Sequence, residues 1–102
     1  MSWHLCCDEG EIWDGEMKSF SIQSHNVLLL RSDQDVHAYQ DECPHQGVSL
    51  SFGNFAEGTL RCSAHHWEFD AQTGMGRNPE TSCLKKYPIK IVDQKIYVEI
   101  KD

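Results

Sequence analysis

The chain is predicted to be all-β, a small antiparallel β-sandwich or barrel, with residues 43 to 70 forming two loops inserted between strands. Three observations predict it. Apolar and polar side chains alternate with a two-residue period along most of the 102 residues. Short turn signals rich in Gly, Asn, Asp and Ser interrupt the alternation. No stretch sustains a helical period over three turns.

Taken in order, residues 8 to 13 (DEGEIW) fit a single helical turn. Strands rich in Val, Ile, Tyr and Phe are expected over 17–22 (MKSFSI), 26–32 (NVLLLRS), 36–40 (VHAYQ), 59–62 (TLRC), 66–69 (HWEF), 85–92 (KKYPIKIV) and 95–100 (KIYVEI). The turns between them fall at Ser24-His25-Asn26, residues 32–35, Glu57-Gly58, residues 73–76 and Asp93-Gln94. There is no internal repeat, linker or low-complexity segment, so residues 1–102 are expected to form a single domain.

Composition narrows the function. A net charge of -7, from 16 acidic and 9 basic residues, disfavours nucleic acid and anionic membrane surfaces and favours a partner with a basic face. The first residues, MSWHLCCDEGEIW, carry early acidic groups and no apolar run, so neither a signal peptide nor a membrane anchor is expected, and the chain is expected to be cytoplasmic. Five cysteines in a reducing compartment point to metal binding for at least some of them.

The chemistry lies in CPHQGVSLSFGNFAEGTLRCSAHHWEFD, residues 43 to 70. Cys43 and His45 stand one residue apart, Cys62 and His65 two apart, with 16 residues between the pairs. Each loop offers one thiolate and one imidazole, which suits a two-metal centre with one iron on sulfur and the other on nitrogen.

This arrangement resembles the Rieske proteins, in which two cysteines bind one iron and two histidines the other iron of a 2Fe-2S cluster. The segments CPHQGVSLSFG, CSAHHWEFDAQTGMGRNP and LKKYPIKIVDQKIYVEI are similar to the two cluster loops and closing strands of Rieske ferredoxins, so the likeness runs from about Asp41 onward. It implies a Rieske-like sandwich whose two cluster-binding loops form a small subdomain, one 2Fe-2S cluster, and Cys43, His45, Cys62 and His65 as its ligands. GRNP before YP, and the Trp of AHHWEF, are most similar to ferredoxins serving toluene and alkene monooxygenases. The commoner second loop has Pro and Gly where this chain has Ser63 and His66.

The same residues admit other readings. A structural zinc site could use two Cys and two His, but zinc fingers usually place a Cys pair before a His pair, and here the types alternate. His66 could replace His65, although the two-residue gap after Cys62 favours His65. Cys6, Cys7 and Cys83 have no neighbours at a metal spacing and read as small hydrophobes, with a disulfide between the Cys6-Cys7 pair and Cys83 disfavoured. Trp3 and Trp13 are expected to cover a sheet edge or fill the core. His4, His25 and His37 read as solvated.

Two thiolates and two neutral imidazoles leave the oxidised centre uncharged, whereas four thiolates leave it at minus two, so reduction is easier. The step from about -400 mV to about -150 mV is roughly 6 kcal/mol per electron. High-potential Rieske proteins add a disulfide between the loops and hydroxyl donors to sulfur; the matching positions here are Val48, Ala64, Trp67 and Phe69, so the potential is expected near the low end. The resemblance implies a carrier rather than an enzyme, with no catalytic residue: a monomer taking one electron at a time from a flavin-containing NAD(P)H reductase to a terminal oxygenase, a diiron monooxygenase of aromatic or alkene hydrocarbons. The alternatives are a ferredoxin for a Rieske ring-hydroxylating dioxygenase and, from another class, a zinc-stabilised interaction module. Gln46, Gly47, His66 and Trp67 are expected to form the face where both partners dock in turn.

Overall fold

Four consecutive apolar residues, Val27 to Leu30, make up the middle of β3 (His25–Ser32), and all four are fully buried. A strand alternates its faces, so such a run demands protein on both sides. Val27 and Leu29 enter one hydrophobic core, and Leu28 and Leu30 enter a second. The structure, a computed structural model, describes residues 2–43, 48–63, 67–78 and 82–100.

Around β3 the described residues form three antiparallel sheets. In the first, β2 (Met17–Ile22) and β4 (Asp35–Gln40) flank β3, and β9 (Lys86–Tyr87) pairs with β4. In the second, β11 (Lys95–Ile100) lies between β1 (Ser2–Asp8) and β10 (Ile89–Val92). Ile96, Val98 and Ile100 of β11 meet Val27, Leu29, Val36 and Ala38 in the first core, giving a sandwich. The third sheet is a meander of β5 (Asn54–Ala56), β6 (Thr59–Arg61), β7 (Glu68–Asp70) and β8 (Gly76–Asn78). Its Leu60 and Phe69 lie in the second core with Leu28, Leu30 and Tyr39. The all-β expectation stands, and Glu9–Glu11 forms the expected single turn as a short 3-10 helix.

Four two-residue connections carry positive φ at both positions: Gln23-Ser24, Asp33-Gln34, Glu57-Gly58 and Asp93-Gln94. Positive φ at both centres is the requirement of a type I′ turn, whose twist matches that of the strands it joins. The first turn therefore lies one residue earlier than predicted, with His25 and Asn26 already in β3.

Other differences have physical causes. The expected strand over 85–92 is two strands in two sheets, because Pro88 has no N–H to extend a ladder and marks the crossing. β1 was not predicted; a β-bulge between Leu5 and Cys7 breaks its alternation, so that Cys6 and Cys7 both pack on the first core. Trp3 on edge strand β1 lies under the Lys90 ammonium, 4.5 Å from its ring centre. Trp13 neither fills the core nor covers an edge: it is 72% exposed, and its indole N–H donates to the Gly10 carbonyl.

Candidate metal centre

The two loops rise from different kinds of base. The second joins β6 to β7, so a ladder pairing Arg61 with Glu68 closes its foot, reinforced by the ion pair between those side chains. The first runs from the end of β4 to a 3-10 turn at Leu50–Phe52 and has no strand pair beneath it.

Both loops nevertheless close in the same way. The Cys43 N–H donates to the Val48 carbonyl at 2.7 Å, and the Cys62 N–H donates to the Trp67 carbonyl at 2.8 Å. Each cysteine thus heads a loop fastened to the residue five places on. Cys43 is 2% exposed and Cys62 1%, and both belong to the second core with Tyr39, Leu50, Leu60 and Phe69. Val48 and Trp67 pack against the same core from its rim.

A glycine sets how closely the two arms approach. A Cβ on Gly53 would lie 2.0 Å from the Arg61 carbonyl oxygen, so the arm leaving the first loop touches the backbone one residue before Cys62. Beside this contact a pocket of about 360 Å³ is lined by Phe52, Gly53, Asn54, Arg61, Cys62 and Ser63. Beneath the site the Tyr39 hydroxyl donates to the Ala71 carbonyl at 2.7 Å. Burial, aided by the nearby Asp70 carboxylate, raises that phenol's pKa, so it stays a donor.

Of the predicted site residues, the structure brings Cys43 and Cys62 into one buried cluster and places Trp67 at its edge. His45, Gln46, Gly47, His65 and His66 lie outside the described residues, as does Ala64. Phe69 is fully buried and has no hydroxyl to donate. Among the described residues no group of three or more His, Cys, Asp or Glu side chains gathers at a metal spacing. Cys6, Cys7 and Cys83 are free thiols. Burial first, then Cys7 and Glu11, pushes the Cys6 thiol up to about 12. Two buried thiols from separate loops, with His45 two positions after one and His65 three positions after the other in sequence, are a donor set that fits a two-iron group.

Sequence reading missed the polar anchor of the first loop. Asp41 is buried and accepts from the Ser19 hydroxyl and from both the N–H and hydroxyl of Ser51. Partners 10 and 22 residues away leave no local pattern.

Comparison with known proteins agrees with this geometry. The chain is 41% identical over 93 residues to the ferredoxin component of the alkene monooxygenase system of Xanthobacter autotrophicus, covering 90% of this chain and 76% of that one. It is 32% identical over 101 residues to the biphenyl dioxygenase ferredoxin subunit of a Pseudomonas species, covering 97% and 93%. Among solved structures, a chain in the complex of reduced oxygenase and oxidised ferredoxin in carbazole 1,9a-dioxygenase superposes with a TM-score of 0.84 over 94% of this chain and 91% of that one, at 23% identity, which speaks to the fold. Residues 2–88 match the model described as the Rieske [2Fe-2S] domain; the chain belongs to that family, and its cofactor is one Rieske-type 2Fe-2S cluster.

Proposed function

We propose that the chain is the electron-carrying ferredoxin of a multicomponent oxygenase, passing single electrons from a flavin-containing NAD(P)H reductase to a diiron monooxygenase of alkene or aromatic hydrocarbons. The observation that carries this reading is the pair of matched loops, each headed by a buried cysteine and fastened five residues on, in a chain 41% identical to an alkene monooxygenase ferredoxin. Cys43 and Cys62 would hold one iron, and His45 and His65 the other. The bound cluster supplies a one-electron couple. The protein's own part is to exclude water from the sulfur side with Leu50, Leu60 and Phe69 and to leave the second loop's rim open to partners.

Docking would use Trp67, half buried at that rim, with His66 next to it in sequence and Gln46 and Gly47 from the first loop. Phe52, 77% exposed at the pocket that Cys62 and Ser63 also line, would add apolar area beside the second loop. A net charge of -7 steers encounter with basic partners, and a face shared in turn favours weak, salt-sensitive binding. No helix among the described residues is long and apolar enough to cross a membrane.

The 32% identity to a biphenyl dioxygenase ferredoxin favours a second reading, delivery to a Rieske dioxygenase. The deciding experiment is iron and acid-labile sulfide analysis with paramagnetic resonance after reduction, then turnover with each class of oxygenase. Two irons, two sulfides and a Rieske signal are expected, lost in His65→Ala and kept in His66→Ala. Stoichiometric zinc without iron refutes the carrier, and coupling only to a dioxygenase moves the assignment to the second reading.

A further inference from the structure

Asp41 is the one charged residue buried among the described residues, at 4% exposure, and it sits where the first loop begins. Its Oδ2 accepts from the Ser19 hydroxyl at 2.6 Å and the Ser51 hydroxyl at 3.0 Å, and its Oδ1 accepts from the Ser51 N–H at 2.9 Å. Its own N–H donates to the Asn26 carbonyl at 2.9 Å. Ser19 belongs to β2, Asn26 to β3, and Ser51 to the 3-10 turn on the far side of the loop. One carboxylate therefore ties the loop's entry to its exit, and both to the sandwich.

The second loop needs no such tie, since the β6–β7 ladder closes its foot. Below the Cys43–Val48 bond the first loop has no ladder, and its two arms would otherwise diverge after Gln40. Hydrogen bonds to a charged acceptor are about twice as strong as neutral ones, and a buried carboxylate left without donors is costly, so the arrangement resists opening.

We infer that Asp41 is a positioning residue of the metal centre: its carboxylate replaces the missing ladder, fixes the first loop's two arms at one separation, and so governs how tightly the cluster is held. This rests on the carrier reading for the cluster and on the described geometry alone for the tie. The negative charge, buried two residues before Cys43, also disfavours adding an electron nearby.

The test compares the parent protein as isolated with Asp41→Ala, Asp41→Asn and Ser19→Ala. Hydrogen–deuterium exchange by mass spectrometry should show the peptide spanning residues 42 to 53 exchanging roughly 10- to 100-fold faster in Asp41→Ala, with the peptide spanning 59 to 70 near its parent rate. Asp41→Asn, whose amide can still accept, should recover most of that protection. Cluster loss to a chelator should accelerate in the same order, and the loaded fraction of both Asp41 variants should show a more positive reduction potential. If Asp41→Ala leaves exchange, chelator lifetime and potential at parent values, the inference is wrong. Equal acceleration in both loops would mean global loosening and would also overturn it. Should Asp41→Ala fail to accumulate, Ser19→Ala, which removes one donor, must show the same local effect at smaller size. A parent protein without a Rieske spectrum would refute the carrier reading, while the exchange arm would still judge the tie.

Discussion

Replacing Gly53 by alanine tests how the two loops are held together. The backbone there has φ of -87°, outside the left-handed region that favours glycine, so a positive φ is not the reason for glycine. Space is. An added Cβ would sit 2.0 Å from the Arg61 carbonyl oxygen, 3.1 Å from its carbon and 3.3 Å from the Leu50 carbonyl oxygen. Real contacts of this kind stay beyond 3.0 Å, so the arms must part by at least about 1 Å, and every atom in the way is backbone. Arg61 cannot withdraw freely, because β6 is paired on both sides, to β5 and β7. Forcing a methyl into packed backbone costs roughly 2 to 4 kcal/mol, near the upper end for overpacking. At about 4 to 8 °C per kcal/mol for a domain of this size, the melting midpoint should fall by about 8 to 32 °C. Calorimetry of the loaded protein, followed with the visible absorbance of the cluster, measures both losses together. A Gly53→Ala protein that melts within about 2 °C of the parent and retains its cluster would show that the arms are not in register through this contact.

Other outcomes follow from single features. Asp93-Gln94 holds positive φ at both turn positions, so conversion to Asn-Gly should stabilise the protein by about 1 kcal/mol in denaturant titration; an unchanged midpoint counts against the turn. His37 is held below its ordinary pKa of 6.5 by burial and then by Lys86, and its Nε2 has no partner among the described residues. The unfolded chain therefore binds the proton first, so stability is full above about pH 6.5 and erodes below it; His37→Gln should flatten that erosion in melts between about pH 7.5 and 5.5, and an unflattened profile refutes this role. With Val48 and Phe69 in place of a cysteine and a hydroxyl donor, film voltammetry from about pH 6 to 8 should give a low, nearly constant potential, and a positive value or a slope near about 59 mV per pH unit would contradict it. In the folded protein a thiol alkylator should modify exposed Cys83 far faster than Cys6 or Cys7; equal rates would contradict the packing of the bulged strand.

The parts of this structure that were legible in the sequence are those written in local periodicity. KIYVEI alternates in burial over its whole length and MKSFSI over its second half, and both emerge as the strands expected. The four apolar residues of β3 gave a strand without revealing that two cores need it. What escaped was decided by partners far along the chain. Cys6 and Cys7 look like a break in a pattern until the bulge aligns both with the core. KKYPIKIV looks continuous because a proline between strands of different sheets changes direction without changing composition. The two cysteines were legible because their spacing is short and chemical. Gly53 and Asp41 were not, since a close approach and a buried carboxylate take their meaning from Arg61, Ser19 and Ser51.

The five thiols of the chain show how a fold assigns chemistry among like groups. A cysteine binds iron as the thiolate, so a candidate cysteine ligand must be able to lose its proton where the metal arrives. Cys6 and Cys7 lie against an apolar core, where burial raises both pKa values and Glu11 opposes a further negative charge. Cys83 is exposed beside Met75 in an isolated β-bridge, away from both loops in sequence. Cys43 and Cys62 are equally buried, yet each stands at the head of a loop whose own N–H is already committed to a carbonyl five residues on. Burial alone therefore does not separate structural thiols from ligands. For the ligand pair proposed above, the distinction would lie in the two fastened loops that bring Cys43 and Cys62 into one cluster, through backbone bonds, one close-packed glycine and the inferred carboxylate tie rather than through the cysteines themselves.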